Sequence, residues 1–372
     1  MSPSFISVPY IDMAGQHAAI KTELMEAVGA VLSHGKFVLG EEVETFEKDF
    51  AKLCRVRFAI GVNSGTDALV LALRALGIGP GDEVITVPNS FVASTSCIRL
   101  VGAKPVFVDV RDDYNLDPGQ LERAITRNTK VILPIHLTGR PADMKPIMDI
   151  AQSCDLHVIE DCAQAVMAEY NSQCVGSFGT FGCFSLHPLK TLNACGDGGV
   201  LTTNDESLYE KVRVLRNLGL RTRDDCVEWS GNSRLDTLQA AILLVKMKYL
   251  PTWTEKRRAN AAFYQTALKG TAGVQAPSNR LHEKSVYHTF VVQADNREAL
   301  KAHLLRHGVE TAIHYPVPIH LHKAAAHMGF KPGSFPVAER QAARILSLPV
   351  HQGLSPDQLA HVIQVIKAFY KK

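Results

Sequence analysis

Between about residues 57 and 205 the chain alternates short, almost uninterrupted apolar runs with longer stretches of helical periodicity, and this alternation constrains the fold more than any other feature. "EVITVP" (83–88), "KPVFVDV" (104–110), "KVILPIHL" (130–137), "HVIED" (157–161), "CFSLHP" (183–188) and "GVLTTN" (199–204) read as strands. "TDALVLALRAL" (66–76) and "ADMKPIMDIAQSC" (142–154) read as helices between them. A strand apolar at successive positions is buried on both faces, which a mostly parallel sheet covered by helices on both sides provides. The expected class is therefore α/β. In such sheets ligands bind beyond the carboxyl ends of the strands, so the residues that follow each strand are the ones to inspect.

Beyond this region, residues 236–268 read as a long helical stretch interrupted at Pro251. "VYHTFVVQA" (286–294) and "ETAIHYPVP" (310–318) read as strands flanking the helix "NREALKAHLLRHG" (296–308). The expected division is a large domain over 1–250, including an N-terminal arm, and a smaller α/β domain over 251–372. A hydrophobic content of 46% allows a sizeable core, and a net charge of +3 is too small to argue for nucleic acid or a membrane surface. The short "EKRR" (255–258) reads as an exposed helical face. Eight cysteines without a CxxC pair fit reduced thiols rather than a disulfide framework or a zinc site. The N-terminus lacks the pattern of a signal peptide, and no apolar run has the length of a membrane span. The expected location is the cytoplasm.

Two common nucleotide motifs are missing. No GxxxxGK[ST] occurs, and "GIGPGDE" (77–83) is not GxGxxG and follows a helix, which disfavours a Rossmann dehydrogenase. Three other segments carry more. In "NSGTDAL" (63–69) a strand ends at Asn63-Ser64 and an apolar helix opens at Gly65-Thr66. This is either plain N-capping or a phosphate cradle of free amides at a helix N-terminus. "HVIEDCAQA" (157–165) places Glu160 and Asp161 at the end of an apolar strand, where an unpaired carboxylate is costly; one of them needs a cationic partner, unless the two form a surface or capping pair. In "FGCFSLHPLKTLNACGDGGV" (181–200), Lys190 lies between an apolar run and a glycine-rich turn. It is either an exposed turn lysine or a partly buried amine with a lowered pKa, able to attack a carbonyl. A phosphate cradle, a strand-end carboxylate and a semi-buried lysine together point to pyridoxal 5′-phosphate.

"NSGTDAL", "DEVITVPNSFVAS", "VIEDCAQA", "FSLHPLKTLNACGDGGV" and "GNSRLDTLQAAIL" resemble, in order and spacing, the DegT/DnrJ/EryC1/StrS family of sugar aminotransferases. The resemblance runs from "GKFVLGEEVETFEKDFA" (35–51) to "HYPVPIHL" (314–321). It implies a fold-type I aminotransferase with Lys190 as the Schiff-base lysine and proton shuttle, and Asp161 as the partner of the pyridine nitrogen. It implies further that Gln164 contacts the phenolic side of the ring, Phe91 stacks on it, and Gly65, Thr66 and Ser185 hold the phosphate. Asn232 would reach the phosphate of the neighbouring subunit, making a homodimer the catalytic unit.

The retained lysine is not that of the dehydratase variants, in which histidine stands there. Relatives acting at the sugar C4 carry Glu-Gly-Gly where this chain has Asp197-Gly198-Gly199, which favours amination of a 3-keto sugar. The implied reaction moves an amino group from an amino acid, expected to be L-glutamate, to a nucleotide-linked keto sugar by way of the pyridoxamine form. A C4 or cyclitol aminotransferase, or a non-catalytic regulatory protein on the same fold, are the alternatives. "HYPVPIHLHKAAAH" contains His314, His320, His322 and His327. His320 and His322 share one face of an extended segment, but no carboxylate or cysteine lies near in sequence to complete a site, so no metal is expected. The resemblance instead puts Tyr315, His320 and His187 near the sugar-nucleotide pocket, with packing as the other reading for each.

Overall fold

The computed structural model describes residues 6–371. The expectation of no signal peptide rests in part on residues 1–5, which lie outside the described residues. The apolar runs assemble into a seven-stranded sheet: β1 (Phe58–Val62), β2 (Glu83–Thr86), β3 (Lys104–Phe107), β4 (Thr129–Ile132), β5 (His157–Asp161), β6 (Phe181–Ser185) and β7 (Gly199–Thr203). The spatial order is β1-β7-β6-β5-β4-β2-β3. Strands β3, β2, β4, β5 and β6 are parallel neighbours, and β7 alone runs antiparallel, to both β6 and β1. All residues of β2 and β7 are buried, as continuous apolar runs require. The helices Gly65–Ala75 and Met144–Ser153 bury their apolar faces, Leu69, Leu73 and Ile147 among them, in the same core. The mostly parallel α/β class expected from the alternation is the one observed.

Because β7 reverses direction, β1 points the same way as β5 and β6. The carboxyl ends of β1, β5 and β6 therefore meet along one sheet edge, together with the start of β7. The sequence that follows each of them, from Ser64, Asp161 and Ser185, is brought into one place.

The stretch beginning at residue 236 is a single helix, Thr237–Leu268, with Pro251 inside it, and the boundary drawn at 250/251 falls within this helix. The expected interruption does not occur. Leu250, Trp253 and Thr254 flank the proline and are buried, and their packing offsets the roughly 3 kcal/mol that an interior proline costs. Arg257 is likewise buried, bonded to the carbonyls of Tyr287 and His288, and Arg258 is half-buried against the Ser285 carbonyl, so the exposed face read from "EKRR" is confined to Glu255 and Lys256.

A second sheet joins Val274–Gln275, Phe290–Ala294 and Ile345–Leu348, all antiparallel. The strand read at 310–318 is absent; only an isolated bridge, Ala312 to Ser347, remains. Pro316 and Pro318 supply no N–H to a ladder, and the partner of Phe290–Gln293 is Ile345–Leu348 instead. The helices Arg297–Arg306 and Pro356–Tyr370 cover this sheet, and Val8 of the N-terminal segment packs into the same cluster.

Candidate active site

A cavity of about 360 Å³ opens at the sheet edge where the strand ends meet. Of the residues singled out in the sequence, Gly65, Thr66, Phe91, Asp161, Gln164, Ser185, His187, Lys190 and Tyr315 line it.

One end is built by the turn from β1 into the helix Gly65–Ala75. Ser64 has extended dihedrals and its hydroxyl accepts the Asp67 N–H at 3.0 Å, so it is the N-cap. The amides of Gly65 and Thr66 lie in the first turn, where no intrahelical acceptor exists. The helix start also sits very close to β6: a Cβ on Gly65 would lie 2.7 Å from the Ser185 Cβ. The capping reading of "NSGTDAL" therefore holds. The serine caps, and the cap leaves two amides and the Ser185 hydroxyl at one spot, a fitting cradle for a phosphate.

The floor is formed by Asp161, the last residue of β5. Alternation along the strand separates it from Glu160, which points into the core on the other side of the sheet. Glu160 accepts the amides of Gly176, Phe178 and Gly179 at 2.8 Å each and the His136 Nε2–H at 3.0 Å. The Ala142 N–H donates to His136 Nδ1 at 2.9 Å, which fixes that ring as the neutral Nε2–H tautomer. His136, Glu160 and Cys162 come within ligand distance of one another, yet the imidazole has no free lone pair for a metal. Asp161 is buried too, but one of its oxygens accepts only the Ala163 N–H, at 3.0 Å, and no cationic side chain bonds it among the described residues. Burial raises its pKa above the usual carboxylate value, against the opposing pull of the Ala163 amide and Lys190. A buried carboxylate of this kind calls for a cationic group in the cavity.

Lys190 stands across from it in the turn after β6, its N–H bonded to the His187 carbonyl at 2.8 Å. Burial lowers its pKa to about 8, with Asp161 acting in the opposite direction. The lysine is thus the semi-buried amine of the second reading, with a neutral form accessible near physiological pH.

The walls are pinned by hydrogen bonds. Gln164 Oε1 accepts the Thr138 N–H at 2.6 Å, and its Nε2 donates to the Tyr315 hydroxyl at 3.3 Å. Burial pushes the Tyr315 phenol up to about 12, so it remains protonated. Phe91 is 54% exposed and tilts over Tyr315 at 5.7 Å between ring centroids.

One expectation is corrected in part. His320 does not line the cavity: it is buried beside Phe330 and Phe335, with Nε2 bonded to Glu339 at 3.0 Å. The short turn Ile319–Leu321 carries it into that aromatic cluster, so the packing reading holds. Asn232, expected to reach a neighbouring subunit, is exposed and outside the cavity of its own chain, held in an isolated bridge with Asn217. Conversely, His288 and His314 line the cavity. Burial lowers the pKa of both, to about 4 for His314, so they enter the site as neutral imidazoles. The signal for His288 was a histidine within the apolar run "VYHTFVVQA"; nothing local distinguishes His314 from the other histidines of its segment.

The model of the DegT/DnrJ/EryC1/StrS aminotransferase family matches residues 18–367. A UDP-N-acetyl-3-dehydro-α-D-glucosamine 3-aminotransferase from Acidithiobacillus ferrooxidans is 43% identical over 97% of this chain and 97% of its own. A dTDP-3-amino-3,4,6-trideoxy-α-D-glucose transaminase from Streptomyces venezuelae is 40% identical over 98% of this chain and 97% of its own. The crystal structure of S. venezuelae DesV in complex with a ketimine intermediate superposes with a TM-score of 0.96 at 40% identity, covering 98% of this chain and 99% of that one. With a family match across nearly its whole length and relatives at 40–43% identity along almost the entire chain, the chain belongs to the DegT/DnrJ/EryC1/StrS aminotransferase family.

Proposed function

We propose that this aminotransferase uses pyridoxal 5′-phosphate to move an amino group from an amino acid, L-glutamate, to C3 of a nucleotide-linked keto sugar. The observation that carries the reading is Asp161: a buried carboxylate that no cationic side chain bonds among the described residues, at the floor of a cavity that also holds Lys190 and a helix N-terminus. The cofactor, when bound, supplies an electron sink for the carbanion beside the migrating nitrogen.

The chain's own residues do the rest. The amides of Gly65 and Thr66 and the Ser185 hydroxyl hold the phosphate. Asp161 keeps the ring nitrogen protonated, Phe91 covers the ring, and Gln164, fixed by Thr138 and Tyr315, sits at its phenolic side. Lys190 Nζ binds the cofactor covalently when no amine is present and moves a proton on and off the substrate carbon; a pKa near 8 suits both tasks. Asn232, exposed on its own chain, would complete the phosphate site of a second subunit, which makes a homodimer the catalytic unit. Residues 1–250 as the cofactor-binding domain and 251–372 as the smaller one belong to the same reading; the latter is supported by a hydrophobic cluster that, Val8 apart, is drawn from residues 261–366. The eight unpaired thiols support the reducing cytoplasm as its location.

Amination at C3 is supported by Asp197, which lines the cavity, and by the two relatives, both named for 3-amino or 3-dehydro sugars. The test is a matched pair of 3-keto and 4-keto nucleotide sugars offered to the purified pyridoxamine form, with NMR locating the new C–N bond. Amination of the 3-keto sugar supports the reading. Amination at C4 alone overturns the position, and turnover of only a cyclitol or a free sugar overturns the substrate class. Failure to bind the cofactor at all would favour a regulatory role.

A further inference from the structure

The molecule contains a second buried lysine that the reaction does not use. Lys246, on the long helix Thr237–Leu268, is fully buried, and no Asp or Glu bonds its ammonium among the described residues. Buried lysines are rare and usually paired, because a charge removed from water without a counter-ion is costly. A methionine would fill a similar volume without that cost.

The contacts of Lys246 show what the charge does. Its ammonium meets four acceptors: the Asn193 carbonyl at 2.9 Å, Asn193 Oδ1 at 2.5 Å, His17 Nε2 at 2.9 Å and, more distantly, Cys195 Sγ at 3.8 Å. His17 must accept, so it is neutral there, and burial together with Lys246 lowers its pKa. Asn193 is itself fully buried, and its Nδ2 donates to the main-chain carbonyl of Lys190 at 2.8 Å. Next in the chain, the Ala194 N–H bonds the Leu186 carbonyl at 2.7 Å and closes the turn. The Cys195 amide group is held by the side chain of Gln239, a second residue of the long helix, with N–H to Oε1 at 2.8 Å and C=O to Nε2 at 3.2 Å. The turn bearing Lys190 is thus tied to the long helix at two points and to the short helix Met13–Ala18 through His17.

We propose that Lys246 is a positioning residue: through Asn193 it fixes the backbone of Lys190, and so the aim of the Lys190 side chain into the cavity, and it joins the N-terminal helix to that turn. A charge-assisted bond makes this link stiffer than a neutral one, which matters because small displacements of a reacting group cost large factors in rate. The inference rests on Lys190 being the catalytic lysine of the reading above.

The test compares Lys246→Met and Asn193→Ala with the parent as cofactor-loaded protein. Amide hydrogen exchange over residues 187–194 should accelerate in both variants, with and without bound cofactor. The kcat should fall by roughly 10- to 100-fold at nearly unchanged KM for both substrates, and the pH midpoint of the cofactor's visible absorbance should move. The double variant should be no worse than the more impaired single, since both act through the Asn193 bond to Lys190. Asn193→Ala keeps the ammonium and removes the bond to Lys190, so it carries the comparison should Lys246→Met not fold. A folded variant with parental kcat and parental exchange over 187–194 overturns the proposal, and so does a change in KM or melting temperature alone. Retained turnover in Lys190→Ala would instead overturn the assignment of the catalytic lysine.

Discussion

Replacing Gly65 by alanine tests how the cofactor cradle is built. By helix propensity alone, alanine in place of glycine in a first turn stabilises, by up to about 1 kcal/mol. The tertiary structure reverses this. The new Cβ would stand 2.7 Å from the Ser185 Cβ and 3.0 Å from its Cα, both nearer than the 3.4 Å at which ordinary contact begins. The start of the helix and the end of β6 must part by about 0.7 Å or more, an overpacking that costs about 1–3 kcal/mol. The shift acts on the two amides and the hydroxyl that would hold the phosphate. Charge-assisted hydrogen bonds of that type contribute about 1.5–3 kcal/mol each, so loosening one lowers cofactor affinity by roughly 10- to 100-fold. Titration of the cofactor-free protein, followed by visible absorbance, measures this directly, and thermal unfolding of the same samples shows whether the variant is folded. Gly29→Ala is the control. Gly29 lies inside the helix Lys21–His34 with no atom within 4 Å of an added Cβ, so there the propensity gain of about 1 kcal/mol should appear. A folded Gly65→Ala with parental cofactor affinity would refute the close-approach argument.

Three further predictions concern the chemistry. Lys190→Ala should abolish turnover and borohydride fixation of the cofactor, and Lys190→Arg should not rescue it, because a guanidinium stays charged; in the parent, cofactor capture by the apo-protein should rise with pH through about 8 rather than through the ordinary lysine range. The stability sign agrees: the folded pKa lies below the unfolded one, so between these values the unfolded chain holds more protons and the apo-protein gains stability from this group as pH rises, as urea unfolding at pH 8 and 10 would show. Asp161→Asn should leave the fold intact, weaken cofactor binding and slow proton transfer, whereas parental rates would remove the ring-nitrogen role. Mixing inactive Lys190→Ala with impaired Asn232→Ala subunits should restore activity through heterodimers with one unaltered site; no recovery on exchange, or a fully active monomer in sedimentation, would exclude a shared site.

Much of the fold was legible because continuous apolar strands admit few partners. Six strands of the large sheet, and the helices 66–76, 142–154 and 296–308, lie within a few residues of their expected bounds. The misreadings arose where tertiary packing overruled a local signal: Pro251 inside a buried helix, and 310–318, whose apolar residues do not enter a strand. Lys190, Asp161 and the "NSGTDAL" turn were legible for a different reason. Each ends or follows a strand, and chemistry at a sheet edge needs those residue types.

What the sequence by itself determined was the class of fold, the order of the strands along the chain and the chemical types available at their carboxyl ends. Its local pattern, unlike the resemblance, left open which of Glu160 and Asp161 faces the cavity, since adjacent carboxylates differ only in the side of the sheet they take, and the register of β5 decides that. The sequence favoured His320 over His314 for the pocket by resemblance, whereas His320 is buried in an aromatic cluster and His314 enters the site. It contained no signal for Lys246, because residues 193 and 246 are far apart in the chain and a lysine within a helix reads as exposed. The physical reason is the same throughout. Local pattern reports what a segment can bury, whereas the partner of a buried charge is set only when distant segments are brought together.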